Sequence, residues 1–390
     1  MKKKKIAIIG AGNAGCITAL HFYFYGKDNY EIEIYHSPEK HPIERVGQGT
    51  TIPPAALISS VFGTNWYDRN CIDATFKSGI LYEGWGKSND KIFHGFPMTN
   101  MAIHYAPQKL SDVILNSGLF KVKQQTINDP EKEIDSDWII DCRGRHNRDR
   151  DNYQALVNPL NACLLYKKNG RDSDLTYTRT VATPNGWTFV VPNTDSVSYG
   201  YLYNNNITSK EDATEDFLDR FNLPETDGDL TFENYIAKEV CVGERTFLNG
   251  NRCGFLEPLE ATATYFYQTV CKAIWDCTNG LKTRQGVDKY VRDQMFRLET
   301  FIMWHYQFGS KYDTPFWKYA KSLPFKTDDI FNNMIETSKG MTHLEMEQQF
   351  QHGPNFIELY GQWTYLSFKC WYDGTKLEKI KGKGFGKHIK

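Results

Sequence analysis

Three glycines near the amino terminus have the spacing of a phosphate-binding turn. Gly10, Gly12 and Gly15 follow directly after the apolar residues 6–9. In a strand–turn–helix unit the first glycine permits a tight turn, the second lets the backbone approach a pyrophosphate, and the third lets the helix pack on the strand. Asn13 and Ala14 would open that helix and present N–H groups to the phosphates. We therefore predict dinucleotide binding, either NAD(P) or FAD, although a glycine turn without a ligand would show the same hexapeptide.

Two segments further along place charged side chains in apolar surroundings. Lys77 stands within the largely apolar stretch 71–85, and Glu257 and Glu260 flank Pro-Leu at an expected loop-to-helix junction. A positioned amine or carboxylate can hold or transfer a proton, or act as a nucleophile. A lysine at a strand edge is the plain structural alternative for Lys77.

The elements around the glycine turn are expected to form a βαβ unit. Residues 4–9 favour a buried strand, residues 16–25 an apolar helix, and residues 30–35 alternate as a second strand. An acidic residue often ends this second strand to bind the ribose, but His36 and Ser37 stand there. The ribose contact is therefore expected to be weaker or made differently.

A later apolar strand at 138–142 is predicted to join the same sheet. It runs into Arg143-Gly144, so Asp141 and Gly144 are expected at the carboxyl edge of the sheet, where ligands bind. Further strands are predicted at 162–166, 176–182, 187–191 and 199–203. Helices are predicted after them, at 265–281 and 286–304. The predicted fold class is α/β: a Rossmann-like, dinucleotide-binding βαβ module with a mixed sheet, plus a mostly helical portion.

We expect two interleaved parts. Residues 1–265 form the dinucleotide-binding module, within which about 45–130 and 160–205 contribute to the second part, and residues 266–390 form the helical portion of that part. The last residues, 376–390, are rich in Lys and Gly and are expected to fray.

Composition excludes several function classes. The 390 residues carry 46 Lys+Arg and 47 Asp+Glu, a net charge of −1, which argues against a generic nucleic-acid binder. No apolar stretch reaches the ~18 residues of a spanning helix, and we interpret the lysines at 2–5 as a flank of the first strand. Nine cysteines without paired spacing indicate a reduced, cytoplasmic compartment and neither a zinc site nor another metal site.

Taken together, the segments resemble the flavin-dependent halogenases of the tryptophan-halogenase type. The likeness covers about residues 5–320 and includes the glycine motif, Val46-Gly47-Gln48-Gly49-Thr50, Thr75-Phe76-Lys77-Ser78-Gly79-Ile80, His94-Gly95-Phe96, Phe255-Leu256-Glu257-Pro258-Leu259-Glu260, 301–306 and 313–317. The lysine segment and the Glu-Pro-Leu-Glu segment are the specific signals. The chain resembles a compact member of the phage-encoded branch. The resemblance implies that the dinucleotide is FAD, that residues 1–265 form an FAD-binding module of the GR2 type, and that 45–130, 160–205 and the helical, pyramid-like portion 266–390 lie on the substrate side.

The resemblance implies a reaction and roles for residues. Reduced FAD and oxygen oxidise a halide to hypohalous acid, which reaches a separate aromatic substrate. Lys77 would hydrogen-bond this oxidant or carry the halogen, and Glu260 would orient the oxidant or accept the ring proton. Thr262 and Ala263 match the halide site, where backbone N–H groups hold the anion; Ala263 replaces a usual glycine.

The resemblance also implies a cofactor set and a substrate set. Cofactor contacts would come from the glycine turn, from the flavin strap and from the Glu-Pro segment, that is from Gly10, Gly12, Asn13, Ala14, Gly15, Val46, Gly47, Gln48, Thr50, Asp141, Gly144, Glu257 and Pro258. Substrate contacts would come from His94, Phe96, Trp187 and Phe189. Gln48 stands where the strap usually has an acid, and Phe189 replaces a tryptophan.

These departures lead to further expectations. Tryptophan is a poor candidate substrate, and a more permissive aromatic pocket is favoured. Bromide and iodide are expected to outperform chloride, since they are easier to oxidise. A separate flavin reductase is expected, since the sequence has a single glycine fingerprint. A flavin-dependent aromatic monooxygenase and a non-catalytic flavin- or NAD-binding scaffold are the alternatives, and oligomeric state is open.

Overall fold

The computed structural model describes residues 3–38, 46–62, 71–86, 91–96, 102–144, 147–170, 176–342, 345 and 360–375. The chain forms two compact units that alternate along the sequence. The first comprises 1–75, 102–156 and 233–296, and the second comprises 76–101, 157–232 and 297–390. These boundaries differ from the predicted one at 265. The expectation that 376–390 fray lies outside the described residues.

The first unit contains the predicted βαβ. Lys4–Ile9 pairs in parallel with Tyr30–His36 on one side and with Trp138–Asp141 on the other. Two further parallel strands and one antiparallel edge strand complete the sheet, whose spatial order is Cys241–Val242, Thr246–Leu248, Trp138–Asp141, Lys4–Ile9, Tyr30–His36 and Lys121–Gln124. The predictions of these first strands and of their common sheet are confirmed.

Other elements of the first unit surround this sheet. Gln48–Gly49 pairs antiparallel with Ala102–Tyr105, and a small antiparallel sheet consists of Tyr153–Ala155, Tyr235–Ala237 and Gly254–Phe255. The α-helices are Asn13–Gly26, Ile52–Phe62, Pro107–Asn116, Pro130–Glu133 and Thr262–Thr278, and the 3₁₀ turns are Asn147–Asn152, Gly250–Arg252 and Leu259–Ala261.

Two of these helices pack closely on each other within the first unit. Gly26 ends the first helix, and a Cβ atom there would lie 2.6 Å from the Trp275 ring of Thr262–Thr278. The buried Asn249 amide donates to Thr18 of the first helix and to the Tyr267 carbonyl oxygen of the second, at 2.9 and 3.1 Å. A small residue and a satisfied buried amide thus fix the spacing of the pair.

The second unit is built on a mixed sheet. Its spatial order is Gly228–Thr231, Ala162–Asn169, Ser196–Tyr203, Gly186–Pro192, Thr178–Thr183, Gly79–Glu83 and Lys91–Gly95. Neighbours are antiparallel except Thr178–Thr183 and Gly79–Glu83, which are parallel. The four strands predicted between 162 and 203 are confirmed.

Helices of the second unit are Lys210–Phe221, Pro315–Ser322, Asp329–Gly340 and Tyr365–Thr375, and Arg284–Phe308 passes from the first unit into the second. A buried aromatic cluster joins helices and sheet in this unit, formed by Tyr82, Trp85, Trp187, His305, Trp317 and Trp371. No helix in the described part of the chain has the length and apolar character needed to cross a membrane.

Candidate functional site

The glycine turn has the geometry that its spacing predicts. Gly10 has φ +102°, in the region that favours glycine. A Cβ atom on Gly15 would lie 1.9 Å from the Gly10 carbonyl oxygen, so the helix can approach the strand only without a side chain there. A Cβ atom on Gly12 would meet no atom within 4 Å, because this glycine faces open space.

The helix after this turn presents an uncapped N-terminus. Asn13–Gly26 begins without a side-chain cap and without an acidic residue in its first turn. Its first N–H groups have no partner within the helix, and their dipoles favour an anion. The Tyr105 hydroxyl donates to Asn13 Oδ1, and the Ser111 hydroxyl donates to the Ala11 carbonyl oxygen at 2.6 Å. The turn is thus held from the neighbouring strand and helix, and its open side fits a pyrophosphate.

Asp141 lies at the predicted sheet edge, and its carboxylate is engaged by arginines. Arg143 donates to it through Nε and Nη2 at 2.9 and 2.8 Å, and Arg252 Nε lies 3.4 Å away. Gly144 follows with φ +89°, and a Cβ atom there would meet nothing within 4 Å. The Asp141 side chain therefore orders this loop through ion pairs, and Gly144 leaves the space beside it open.

The predicted flavin strap forms a short strand in the same unit. Gln48 pairs with Tyr105, and the Thr50 N–H donates to the Ile103 carbonyl oxygen at 2.8 Å. The Ile103 N–H donates in return to Thr50 Oγ1 at 3.0 Å. Gly47 is buried, while Val46 and Gln48 are half-buried. Tyr105 thus contacts both the strap, through its backbone, and Asn13, through its hydroxyl.

The Glu-Pro-Leu-Glu segment forms a sharp turn before Thr262–Thr278. Glu260 and Ala261 both have left-handed backbone angles, with φ +67° and +54°. Such angles in non-glycine residues cost about 1 kcal/mol or more each and cluster at functional sites. Glu257 and Glu260 are buried, and the Glu257 N–H donates to Asn234 Oδ1 at 3.0 Å. Pro258 is exposed.

The turn delivers the chain to a second uncapped helix N-terminus. Thr262–Thr278 begins after Ala261 with no side-chain cap and no acidic residue in its first turn. Thr262 is buried and Ala263 is half-buried at this end. Within the described residues, the buried Thr264 hydroxyl has no hydrogen-bond partner. The N-terminal N–H groups here can attract a small anion.

Lys77 lies in the second unit, at the end of the strand Thr75–Lys77. Its side chain is fully buried, and its Nζ atom lies 5.2 Å from the centroid of the Phe96 ring, a cation–π distance. His94 packs edge-to-face on Phe96 with centroids 5.7 Å apart, and its Nε2 atom lies 2.9 Å from Ser367 Oγ. The structure thus brings three of the predicted residues, Lys77, His94 and Phe96, together in one cluster.

Trp187 and Phe189 lie elsewhere in this unit. Trp187 is buried in the aromatic cluster, and its indole N–H donates to the Tyr306 hydroxyl at 3.0 Å. Phe189 is half-buried, with its ring centroid 6.4 Å from that of Trp187. A Cβ atom on Gly200 would lie 2.1 Å from the Phe189 ring, so this glycine makes room for it. The two residues form a wall of aromatic side chains.

Sequence reasoning missed three contributors. Tyr105 and Arg143 stand next to predicted site residues without a motif of their own. Ser367 lies on Tyr365–Thr375, 273 residues from His94. Nothing in local sequence signals that hydrogen bond. Among the described residues, no group of His, Cys, Asp and Glu could hold a metal ion.

The sequence profile of the family described as tryptophan halogenase matches residues 5–112 and 108–363 of the chain. This protein belongs to the tryptophan halogenase family. The resemblance inferred from the motifs is thereby confirmed. A curated relative, tryptophan 6-halogenase ThaL of Streptomyces albogriseolus, is 24% identical over 304 residues, which cover 72% of this chain and 56% of that protein. The chain thus spans little more than half the length of this relative.

Solved structures show the same fold. A tryptophan 6-halogenase (SttH) from Streptomyces toxytricini superposes with a TM-score of 0.73 at 18% identity, covering 95% of this chain and 90% of that one. BrvH, a flavin-dependent halogenase from Brevundimonas sp., superposes with a TM-score of 0.74 at 16% identity, covering 96% and 90%. The predicted fold class is confirmed by these likenesses.

Proposed function

We propose that this protein uses reduced FAD, oxygen and a halide to halogenate an aromatic small molecule, with Lys77 guiding the hypohalous acid. Family membership and the two anion-suited helix N-termini of the first unit support this proposal. The observation that carries it is Lys77 itself, a fully buried lysine held against an aromatic ring. Burial of a lysine is costly, and so a lysine kept in such a place indicates chemistry.

The residues of the first unit fit FAD. Gly12 faces open space, Gly15 permits the close helix approach, and the uncapped helix offers N–H groups to a pyrophosphate. When bound, reduced FAD would activate oxygen for oxidation of the halide. Val46, Gly47, Gln48 and Thr50 would form the strap along the flavin, and Glu257 and Pro258 would contact it. Asn13, Ala14 and Gly144 would hold its phosphates and ribose.

The halide would bind at the start of Thr262–Thr278. We propose that the N–H groups of Thr262 and Ala263 hold it, because no side chain caps this terminus. Glu260 would act as the second catalytic residue, orienting the oxidant or accepting the ring proton. His94 and Phe96 would contact the aromatic substrate beside Lys77, and Trp187 and Phe189 would form the aromatic wall that separates substrate from flavin. Bromide or iodide is the proposed preferred halide.

The decisive experiment is mass spectrometry of an aromatic library incubated with FAD, a flavin reductase and chloride, bromide or iodide in parallel. We expect halogenated products that K77A abolishes while FAD binding is retained. The matched control is K91A, which removes an exposed lysine paired with Glu83 in the same unit. A product that gains oxygen instead of halogen would indicate a monooxygenase, and a higher yield with chloride would contradict the halide preference.

A separate reductase is part of the proposal. Chemically reduced FAD should support product formation without NAD(P)H. Consumption of NAD(P)H by the purified protein with FAD would show that it reduces its own flavin.

A further inference from the structure

A hydrogen bond ties the helix Tyr365–Thr375 to the strand Lys91–Gly95 of the second unit. Ser367 Oγ lies 2.9 Å from His94 Nε2, and both side chains are buried. The helix can come this close because it carries Gly374, where a Cβ atom would lie 2.7 Å from the Ile92 side chain of the strand. Trp371, on the same helix, packs on His305, with the two ring centroids 3.9 Å apart. The helix is therefore fixed firmly enough to place Ser367.

His94 passes this constraint to Phe96. Their rings are perpendicular, at 86°, with centroids 5.7 Å apart. Rotation about the second side-chain torsion of histidine has broad minima, so a hydrogen bond to one ring nitrogen decides the angle of the ring. Edge-to-face packing is favourable only over a limited range of angles. The orientation of His94 thus bears on where Phe96 lies.

Phe96 in turn faces Lys77. The ammonium lies 5.2 Å from the ring centroid, and the lysine side chain is fully buried. The attraction between a cation and a ring depends on the cation staying over the ring face. A shift of Phe96 therefore moves the preferred position of the Lys77 ammonium.

We propose that Ser367 is a positioning residue for Lys77, acting through His94 and Phe96. The proposal rests on the proposed function, in which Lys77 guides the oxidant. It assigns the helix Tyr365–Thr375 a part in the reaction that no motif in the sequence signals. In this arrangement Ser367 sets the place of the ammonium, and the substrate and oxidant need not touch the serine.

The first test reads the contact without turnover. NMR of protein labelled in lysine and histidine reports Lys77 through the ring-current shift from Phe96, and reports His94 through its ring nitrogens. K77M and H94Q assign the two signals. We expect S367A to displace both signals, and S367T, which keeps the hydroxyl, to restore them. S338A is the control, since Ser338 is a buried helical serine that donates to the Ile335 carbonyl oxygen in the same unit.

The second test measures turnover. S367A should lower the rate of halogenation by roughly three- to tenfold, the range expected when a buried hydrogen bond that orients a catalytic group is lost. The rate of flavin reoxidation should stay unchanged, and more oxidised halide should escape to an external scavenger. If S367A does not fold, S367C replaces the hydroxyl by a weak thiol partner.

The outcomes separate the proposals. A displaced His94 signal with an unmoved Lys77 signal would overturn the positioning role, whatever the enzyme does. Equal losses in S367A and S338A would show a structural effect alone and overturn it too. If both signals move but no variant or wild-type protein halogenates any substrate, the proposed function fails while the contact stands.

Discussion

Two helices of the first unit begin without a capping side chain, yet the chain enters them by opposite routes. Asn13–Gly26 follows a turn of glycines, whereas Thr262–Thr278 follows Glu260 and Ala261, two non-glycine residues with left-handed backbone angles. The first of these turns, before Asn13–Gly26, is open around Gly12 and fits a large anion such as a pyrophosphate. The second keeps a buried carboxylate in a strained turn beside a terminus suited to a small anion. The glycines of the first turn leave space for a ligand because they lack side chains. The second turn keeps its side chains despite unfavourable backbone angles, and so it positions the Glu260 carboxylate.

The largest effect is expected from a substitution in the glycine turn before Asn13–Gly26. G15A places a Cβ atom 1.9 Å from the Gly10 carbonyl oxygen, and backbone must move to relieve this overlap. We expect the free energy of unfolding to fall by about 3 kcal/mol or more, with loss of FAD binding. Equilibrium denaturation and flavin titration measure both. Wild-type stability in G15A would show that the turn is not built as described.

The next effect concerns the packing of the two helices and depends on pH. His21 is buried on the first helix, and burial, with Lys272 on the second, lowers its pKa from 6.5 to about 3. In the unfolded chain His21 therefore binds a proton below pH 6.5, whereas in the folded chain it stays neutral down to about pH 3. Stability falls with falling pH across this window, by about 2 kcal/mol between pH 7.5 and pH 5.

Denaturation curves of wild type and H21Q at several pH values test this. The variant should lose less stability on acidification between pH 6.5 and 4.5. Glu33 does not interfere in that range: burial would raise its pKa, but hydrogen bonds from Lys121 and Lys123 lower it to about 2, so its contribution is lost only below about pH 4.5. Parallel curves for the two proteins would contradict the prediction.

A third substitution, also in the glycine turn, separates the effect on FAD binding from the effect on stability. G12A adds a Cβ atom in open space at an ordinary backbone angle. We expect the free energy of unfolding to change by no more than about 0.5 kcal/mol. FAD affinity should fall by roughly tenfold, because the methyl group obstructs the approach of the pyrophosphate. Unchanged affinity would place the phosphates elsewhere.

The smallest effect is expected from a substitution that tests backbone strain in the turn before Thr262–Thr278. A261G removes the penalty of φ +54° and should raise the free energy of unfolding by about 0.5–1 kcal/mol. A263G, two residues later in the helix, should lower it by up to about 1 kcal/mol, because glycine disfavours the helix. Denaturation of both variants gives the comparison, and stabilisation by both or by neither would argue against strain at Ala261.

Local sequence predicted the first unit better than the clusters around its sites. Apolar runs and alternation predicted the strands at 4–9, 30–35 and 138–142, because strand formation and burial are read from neighbouring residues. Sequence did not predict that the carboxylate of Asp141 pairs with Arg143 and Arg252, since the second arginine comes from a distant segment. The site roles of the motif residues were expected from family resemblance and stay predictions.

The sequence by itself determined the glycine turn and the family. Spacing of Gly10, Gly12 and Gly15 dictates backbone geometry directly, because what matters there is the absence of a side chain. Tertiary structure alone decided the left-handed angles at Glu260 and Ala261 and the pairing of Ser367 with His94. The angles oppose the local preference of those residues, and the pairing joins positions 273 apart in the chain. Such features exist only when packing throughout a unit holds them in place.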